Sequence, residues 1–342
     1  MKKVRSIYIL SVFILLLGGC KFDDLCYDHP HYPKTRINID LSDVNKSFED
    51  LQSFMVIFYP VDDGVLPLDL LRPTYHTIQS SQDYYVSLAP GQYKAVAYNN
   101  YSGKNLFSNR DDYENLYMDT ATGLAGKYRG QATKVPYMRE PDFLVADRMD
   151  SLTIQASGGG KGEVSGQVIT FKPQRVTLDI HVEIVVKNLS SMMEYIGEVG
   201  ELDGRFYMGA KRYDMGGFAI PVDVDNSRIV FDSNQKDGCI YLSMTSLGFT
   251  DRVSKSSDTN KANKAYLYVD FKLRDNSMFH VDPFDLTDMA RNAEIVDGGI
   301  TLGVGIDGSP YPPVVLPEVM GGGGIHTDVG NWGKEENVNV DL

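Results

Sequence analysis

The stretch Val176-Thr177-Leu178-Asp179-Ile180-His181-Val182-Glu183-Ile184-Val185-Val186 puts an apolar residue at every other position. Successive side chains of a strand point to opposite faces, so this alternation buries one face and wets the other. His181 falls on the wet face and is therefore a solvent-facing strand residue rather than a catalytic candidate. Downstream, Ile240-Leu242-Met244 and Ala265-Leu267-Val269-Phe271-Leu273 repeat the pattern. Ile300 to Ile306 and Val338-Val340-Leu342 supply further strands. Asp282 to Met289 carries proline and acidic residues where a short helix would start. Long apolar stretches of 3.6-residue period are lacking, while 32 glycines and 15 prolines supply turns. Recurring short strands joined by such turns predict an all-β chain of antiparallel β-sandwiches with a few short helices.

Upstream of the quoted strand, Ser157-Gly158-Gly159-Gly160-Lys161-Gly162 is the strongest break in the chain. A phosphate-binding loop would need a Ser or Thr after the lysine and a helix after that. Here Gly162 and the strand-like Val168-Ile169-Thr170-Phe171 follow, so the segment reads as a linker over 157–166. It divides an N-terminal sandwich, 35–156, from a C-terminal one, 167–342. Within the first, Thr35-Ile37-Ile39-Leu41 alternates, and the unbroken apolar run Phe54 to Tyr59 predicts a central strand covered on both faces. Tyr84-Val86-Leu88 leads through Ala89-Pro90-Gly91-Gln92 into Tyr93 to Tyr98, which predicts a type II turn between antiparallel neighbours. Asn99 to Tyr137 reads as a long loop with one helical turn at Asp111–Met118, and Ser151 to Gln155 as a last strand.

The chain carries few signs of chemistry. It has neither a G-x-S-x-G nucleophile turn nor an H-E-x-x-H zinc motif. The acidic pairs Asp62-Asp63, Asp111-Asp112 and Glu335-Glu336 are adjacent in sequence and point to opposite sides of an extended chain. Cys26, Asp28, His29 and His31 are metal-ligand types, but no second cluster completes a tetrahedral site. Asp223-Val224-Asp225-Asn226-Ser227 alternates oxygen donors without the glycine and terminal glutamate of a calcium loop. Neither a metal, a cofactor nor an enzymatic activity is expected. The formal net charge of −13 with no basic block argues against nucleic acid. Some of the 21 tyrosines could stack on sugars, although tyrosines on strands are commonly sheet residues.

The N-terminus is an address. Lys2, Lys3 and Arg5 precede the apolar run Ile7–Leu17, then Gly18, Gly19 and Cys20, which reads as a secretory signal over 1–19. The run is shorter than the ~20 apolar residues of a membrane-spanning helix. Leu17-Gly18-Gly19-Cys20 resembles the bacterial lipobox, in which the chain is cut before the cysteine and the thiol is acylated. Cys20 is thus the expected lipid-attachment residue, holding the protein to a membrane through a tether over 20–34. Each buried CH₂ of the acyl chains contributes roughly 0.8 kcal/mol. About 320 residues remain after cleavage, a length for two domains. Cys26 and Cys239 are then the remaining thiols. Both are expected to be unpaired, with Cys239 buried in the core.

Several of these features occur together and in order: the lipobox, the Leu25–His31 tether, Leu88-Ala89-Pro90-Gly91-Gln92-Tyr93, the strand after Pro173, Asp285-Leu286-Thr287-Asp288, and Trp332-Gly333 before a closing strand. The whole resembles the fimbrillin-related lipoproteins of Bacteroidales, in particular the Mfa2/FimB-like anchor group. The resemblance implies two tandem transthyretin-like β-sandwiches behind an acylated N-terminus. It implies an outer-membrane lipoprotein facing the cell exterior, and Lys21-Phe22-Asp23-Asp24 resembles the acidic signal for that surface. It implies a non-enzymatic fimbrial anchor or accessory subunit that docks pilin subunits by strand complementation. Polymerising relatives are cut after an arginine, for which Arg36 before Ile37 is the candidate position; an anchor needs no cut. A surface lipoprotein that binds glycan or another extracellular ligand is the alternative. An open sheet edge would favour the first reading, and a shallow exposed cluster of tyrosines the second.

Overall fold

The computed structural model describes residues 34–44, 51–62, 70–79, 83–100, 103–120, 122–123, 136–155, 164–214, 217–222, 227–249 and 265–319. Nearly all regular structure in them is strand, and the pairing is mostly antiparallel. The alternating stretch forms the strand Leu178–Lys187, with Leu178, Ile180, Val182, Ile184 and Val186 all buried. Full burial of each such side chain stabilises the fold by roughly 1.5–3 kcal/mol. The strand runs antiparallel to Gly238–Ser246 and parallel to Gly299–Val304. His181 is exposed, its Nδ1 3.0 Å from the Ser243 hydroxyl. Across the core lies a second sheet containing Met192–Leu202, Tyr266–Leu273 and Phe218–Pro221. Ile180, Val182 and Ile240 from one sheet share a single apolar cluster with Tyr195, Leu267 and Phe271 from the other. The short helix forms at Thr287–Asn292, later than its acidic start suggested. Phe284–Asp285 pairs first with Tyr266–Leu267, and the Asp285 carboxylate then accepts the Thr287 amide at 3.0 Å.

In the N-terminal half, Lys34–Ile39 lies between Tyr84–Ser87, antiparallel, and Val164–Phe171, parallel. This three-stranded sheet faces a five-stranded one in the order Gln174–Arg175, Val145–Ile154, Gly91–Asn99, Ser53–Pro60, Thr74–Gln79. The Phe54–Tyr59 run is covered on both faces, as its lack of alternation predicted. Val56 and Phe58 pack with Ile37, Ile169 and Phe171, while Met55, Ile57 and Tyr59 enter a separate cluster on the opposite face.

Two local expectations are corrected. Tyr84–Ser87 and Gly91–Asn99 are not hairpin neighbours: the first pairs with Lys34–Ile39, the second with Ser53–Pro60 and Val145–Ile154. The Ala89-Pro90 corner carries the chain from one sheet to the other. Leu88 and Ala89 are buried there, and the Tyr93 hydroxyl donates to the Ala89 carbonyl at 2.9 Å. Within Asn99 to Tyr137, the expected loop contains the strands Asn105–Ser108 and Tyr117–Thr120. The expected helical turn is an aspartate-held turn, in which the Asp112 carboxylate accepts the amides of Glu114 and Asn115.

The two halves exchange elements. Arg205–Tyr207 pairs with Tyr117–Thr120, placing Phe206 and Met208 beside Met55, Tyr98 and Met118. In return, Tyr137–Met138 joins the C-terminal sheet at Ala219, and Met138 enters its core. Val176, two residues before the strand Leu178–Lys187, belongs to the first core and Leu178 to the second, so the alternating row straddles both. Arg175 lies at this junction, ion-paired to Asp179 at 2.6 Å and donating to the Thr177 and Asp297 carbonyls. Its guanidinium also sits 4.9 Å from the centre of the Phe143 ring.

Candidate docking edge

The strand Ser227–Phe231 occupies an edge of the C-terminal sheet. On one side it pairs antiparallel with Gly238–Ser246, setting Ile229 opposite Ile240 and Phe231 opposite Gly238. On the other side, no strand among the described residues pairs with it. Ile229, Val230 and Phe231 are 39%, 41% and 37% exposed, which makes a consecutive apolar run on an open edge. Soluble proteins commonly blunt such edges with lysine, proline or bulges, because free N–H and C=O groups template strand addition. The one charge here is Arg228, whose guanidinium lies 4.7 Å from the Tyr241 ring centre on the outer face. Ile229 and Phe231 share the parity of buried Ile240 and Leu242, so their exposed flanks continue the core side of the sheet.

Local chemistry builds this edge. Gly238 allows its close approach: a Cβ there would stand 2.3 Å from the Val230 carbonyl oxygen and 2.7 Å from a Leu189 methyl. The turn back into Gly238–Ser246 is held by Asn234, whose side-chain oxygen accepts the amides of Lys236 and Asp237. The Asp237 carboxylate accepts the Asn188 amide at 2.8 Å and lies 3.3 Å from Lys187 Nζ, contacts that hold it below the ordinary aspartate range. The last described segment passes the same end of the sheet. Asn188 donates to the Leu316 carbonyl, Lys236 pairs with Glu318 at 2.5 Å, and the Val319 amide reaches the Ser191 hydroxyl.

A second surface bears on sugar binding. On the outer face of the four-stranded sheet that contains Arg205–Tyr207 and Tyr117–Thr120, Tyr117 and Tyr207 are cross-strand neighbours with ring centres 5.5 Å apart. The guanidinium of Arg212 lies 3.7 Å from the Tyr207 centre, and that of Arg205 lies 4.6 Å from Tyr117. An arginine guanidinium therefore lies over each of these two rings. A third cluster is buried at the exchange between the halves. Glu198 accepts the hydroxyls of Tyr137 at 2.5 Å and Tyr266 at 3.3 Å, and burial pushes its carboxyl above the ordinary glutamate range.

Cys20, Cys26, Asp28, His29 and His31 lie outside the described residues, as do the glycine-rich centre of the linker, Trp332 and Val338-Val340-Leu342. Cys239 is a free thiol but not the expected core residue. It is half-buried on the outer face, because Ile240, Leu242 and Met244 take the inward positions. Arg36 is ion-paired to Asp83 at 2.5 Å and lies in the middle strand of its sheet, where a cut before Ile37 would sever a strand paired on both sides. Ser227–Phe231 went unread in sequence, although Ile229-Val230-Phe231 before Asn234-Gln235 is a strand-and-turn signal. Among the described residues, no helix is long and apolar enough to cross a membrane.

The profile of a family described as a domain of unknown function, DUF5119, matches residues 19–223, more than half of the chain. The chain belongs to the DUF5119 family. This DUF5119 chain is also 22% identical to the "Putative fimbrium anchoring subunit Fim4B" of Bacteroides ovatus, over 97% of its own length and 96% of that protein. Its fold matches a crystal structure described as a putative adhesin from Bacteroides ovatus, with a TM-score of 0.57 at 18% identity, covering 88% of this chain and 98% of the other. A second putative adhesin from Bacteroides ovatus superposes with a TM-score of 0.51 at 10% identity, covering 80% and 87%. These relatives are named for anchoring and adhesion rather than for catalysis, in agreement with the reading of a non-enzymatic chain.

Proposed function

We propose that the protein is a non-enzymatic surface lipoprotein, held to the outer membrane through acylated Cys20, that serves as a fimbrial anchor or accessory subunit. It docks a fimbrial subunit by accepting a strand of that subunit along Ser227–Phe231. The observation that carries this reading is the consecutively apolar edge at Ile229, Val230 and Phe231, which has a strand partner on one side only among the described residues. An added strand would satisfy the outward backbone groups and cover the flanks of Ile229 and Phe231, the physics of strand-addition recognition. The end-to-end similarity to a protein named as an anchoring subunit supplies the class of partner. The guanidinium groups over Tyr117 and Tyr207 leave less open ring surface on that pair for a sugar to stack on.

The test places a photo-crosslinking side chain at Val230 in the native cell. Adducts with fimbrial subunits, identified by mass, are expected. A membrane-bound protein that yields no such adduct, or one only with a glycan-uptake complex, would overturn the docking reading.

A further inference from the structure

We infer that the parallel pair of Lys34–Ile39 with Val164–Phe171 is a clamp against tension, placed to hold when the N-terminal end of the chain and its C-terminal half are pulled apart. The pair is parallel over Lys34↔Val164 and over the four consecutive positions from Arg36↔Val168 to Ile39↔Phe171. Strand polarity decides how a pull acts on it. The sequence runs from Cys20 to the Lys34 end of the first strand, and from Phe171 onward to Leu178–Lys187 in the C-terminal sheet. In a parallel pair those two points lie at opposite ends. Tension between them slides the strands past each other along their axes, so the evenly spaced ladder bonds are loaded together. An antiparallel pair with the same connections would be pulled at one end and would open bond by bond.

The surroundings resist the slide. Lys34–Ile39 is the middle strand of its sheet, paired on its other side with Tyr84–Ser87, and Arg36 is ion-paired to Asp83 beside that strand at 2.5 Å. Ile37 and Ile169 face each other across the ladder, and both are buried with Val56, Phe58 and Phe171. Shifting either strand along its axis would drag these side chains out of a close-packed interior. Past the last pair, the Asp40 amide donates to the Phe171 carbonyl at 2.8 Å, and Lys172 Nζ lies 3.5 Å from the Asp40 carboxylate. The same end is tied to the facing sheet: the Lys172 amide donates to the Asp147 carboxylate at 2.6 Å, and Gln174–Arg175 pairs with Val145–Ala146. A pull from the C-terminal half therefore reaches the sandwich at a fixed point instead of peeling Val164–Phe171 away. That such a pull arises in the cell rests on the anchoring and docking proposed above; the clamp itself rests on the strand polarity.

Single-molecule stretching of the full, folded chain tests the inference, with handles joined through click-reactive side chains at the exposed positions Lys34, Asp43 and Lys172. Handles at Lys34 and Lys172 pull the pair from opposite ends. Handles at Asp43 and Lys172 pull it from one end. The first geometry should rupture at a several-fold higher force, because its ladder must break as a whole. Both geometries share the Lys172 handle, so the loss of its contact with Asp40 cancels between them. Equal rupture forces in the two geometries, whether high or low, would overturn the inference, as would a higher force from Asp43. The docking reading fails separately: a high force from Lys34 in a protein that gives no fimbrial adduct at Val230 would remove the partner and leave the clamp standing.

Discussion

Replacing Ile229 and Phe231 together with lysine should abolish strand docking while leaving the fold standing. Covering a whole Ile or Phe side chain is worth roughly 1.5–3 kcal/mol. With 39% of Ile229 and 37% of Phe231 still exposed, an added strand covers what remains for about 0.6–1.2 kcal/mol each. Losing both removes about 1–2 kcal/mol, and two charges set against an incoming apolar strand add a desolvation cost of at least comparable size. The combined loss of about 2–4 kcal/mol corresponds to roughly 30- to 1,000-fold weaker binding. Lysine stems can lie along the sheet with their ammonium groups in water, so the edge itself tolerates the change. The assay is a titration of purified fimbrial subunit against wild-type and double-variant protein, with thermal melts run in parallel. Unchanged affinity in a variant that melts cooperatively would refute docking at this edge.

Other consequences are as direct. Cys20→Ser should move the protein from the membrane fraction to the soluble one, and retention on the membrane would contradict acylation at that residue. Glu198→Gln should flatten the pH dependence of stability. The buried carboxyl binds its proton more tightly in the folded chain, so its contribution is complete below the unfolded value near 4.5 and is lost as pH rises through the higher folded value; urea midpoints in mildly acidic and neutral buffer that fall equally in both proteins would refute this. Arg175→Met removes an ion pair and two carbonyl contacts at the junction and should cost about 1–3 kcal/mol, read as a lower urea midpoint. Gly238→Ala should loosen Ser227–Phe231 without unfolding the core, detectable as faster local hydrogen exchange confined to that strand.

Period-two patterning was legible wherever a strand buries one face. Leu178–Lys187, Gly238–Ser246 and Tyr266–Leu273 were found, and so was the doubly covered run Phe54 to Tyr59, because side-chain parity is a property of consecutive residues. Pairing partners were not legible. The Ala89-Pro90-Gly91 corner has hairpin composition, yet it joins two sheets, because Leu88 and Ala89 are drawn into the core between them. Asn105–Ser108 and Tyr117–Thr120 were hidden for a similar reason: their partner Arg205–Tyr207 lies far along the chain. Ser227–Phe231 was obscured because its apolar residues are consecutive rather than alternating, and they stay half-exposed.

The sequence by itself determined the all-β class, the inward row from Val176 to Val186 and the expectation of lipid attachment at Cys20, since each depends on residues close together along the chain. Only the tertiary structure decided that this row serves two cores, that the halves exchange Arg205–Tyr207 and Tyr137–Met138, and that Ser227–Phe231 pairs on one side only among the described residues. Those outcomes depend on which distant strands meet, and strand pairing is set by the joint burial of surfaces that no local pattern encodes.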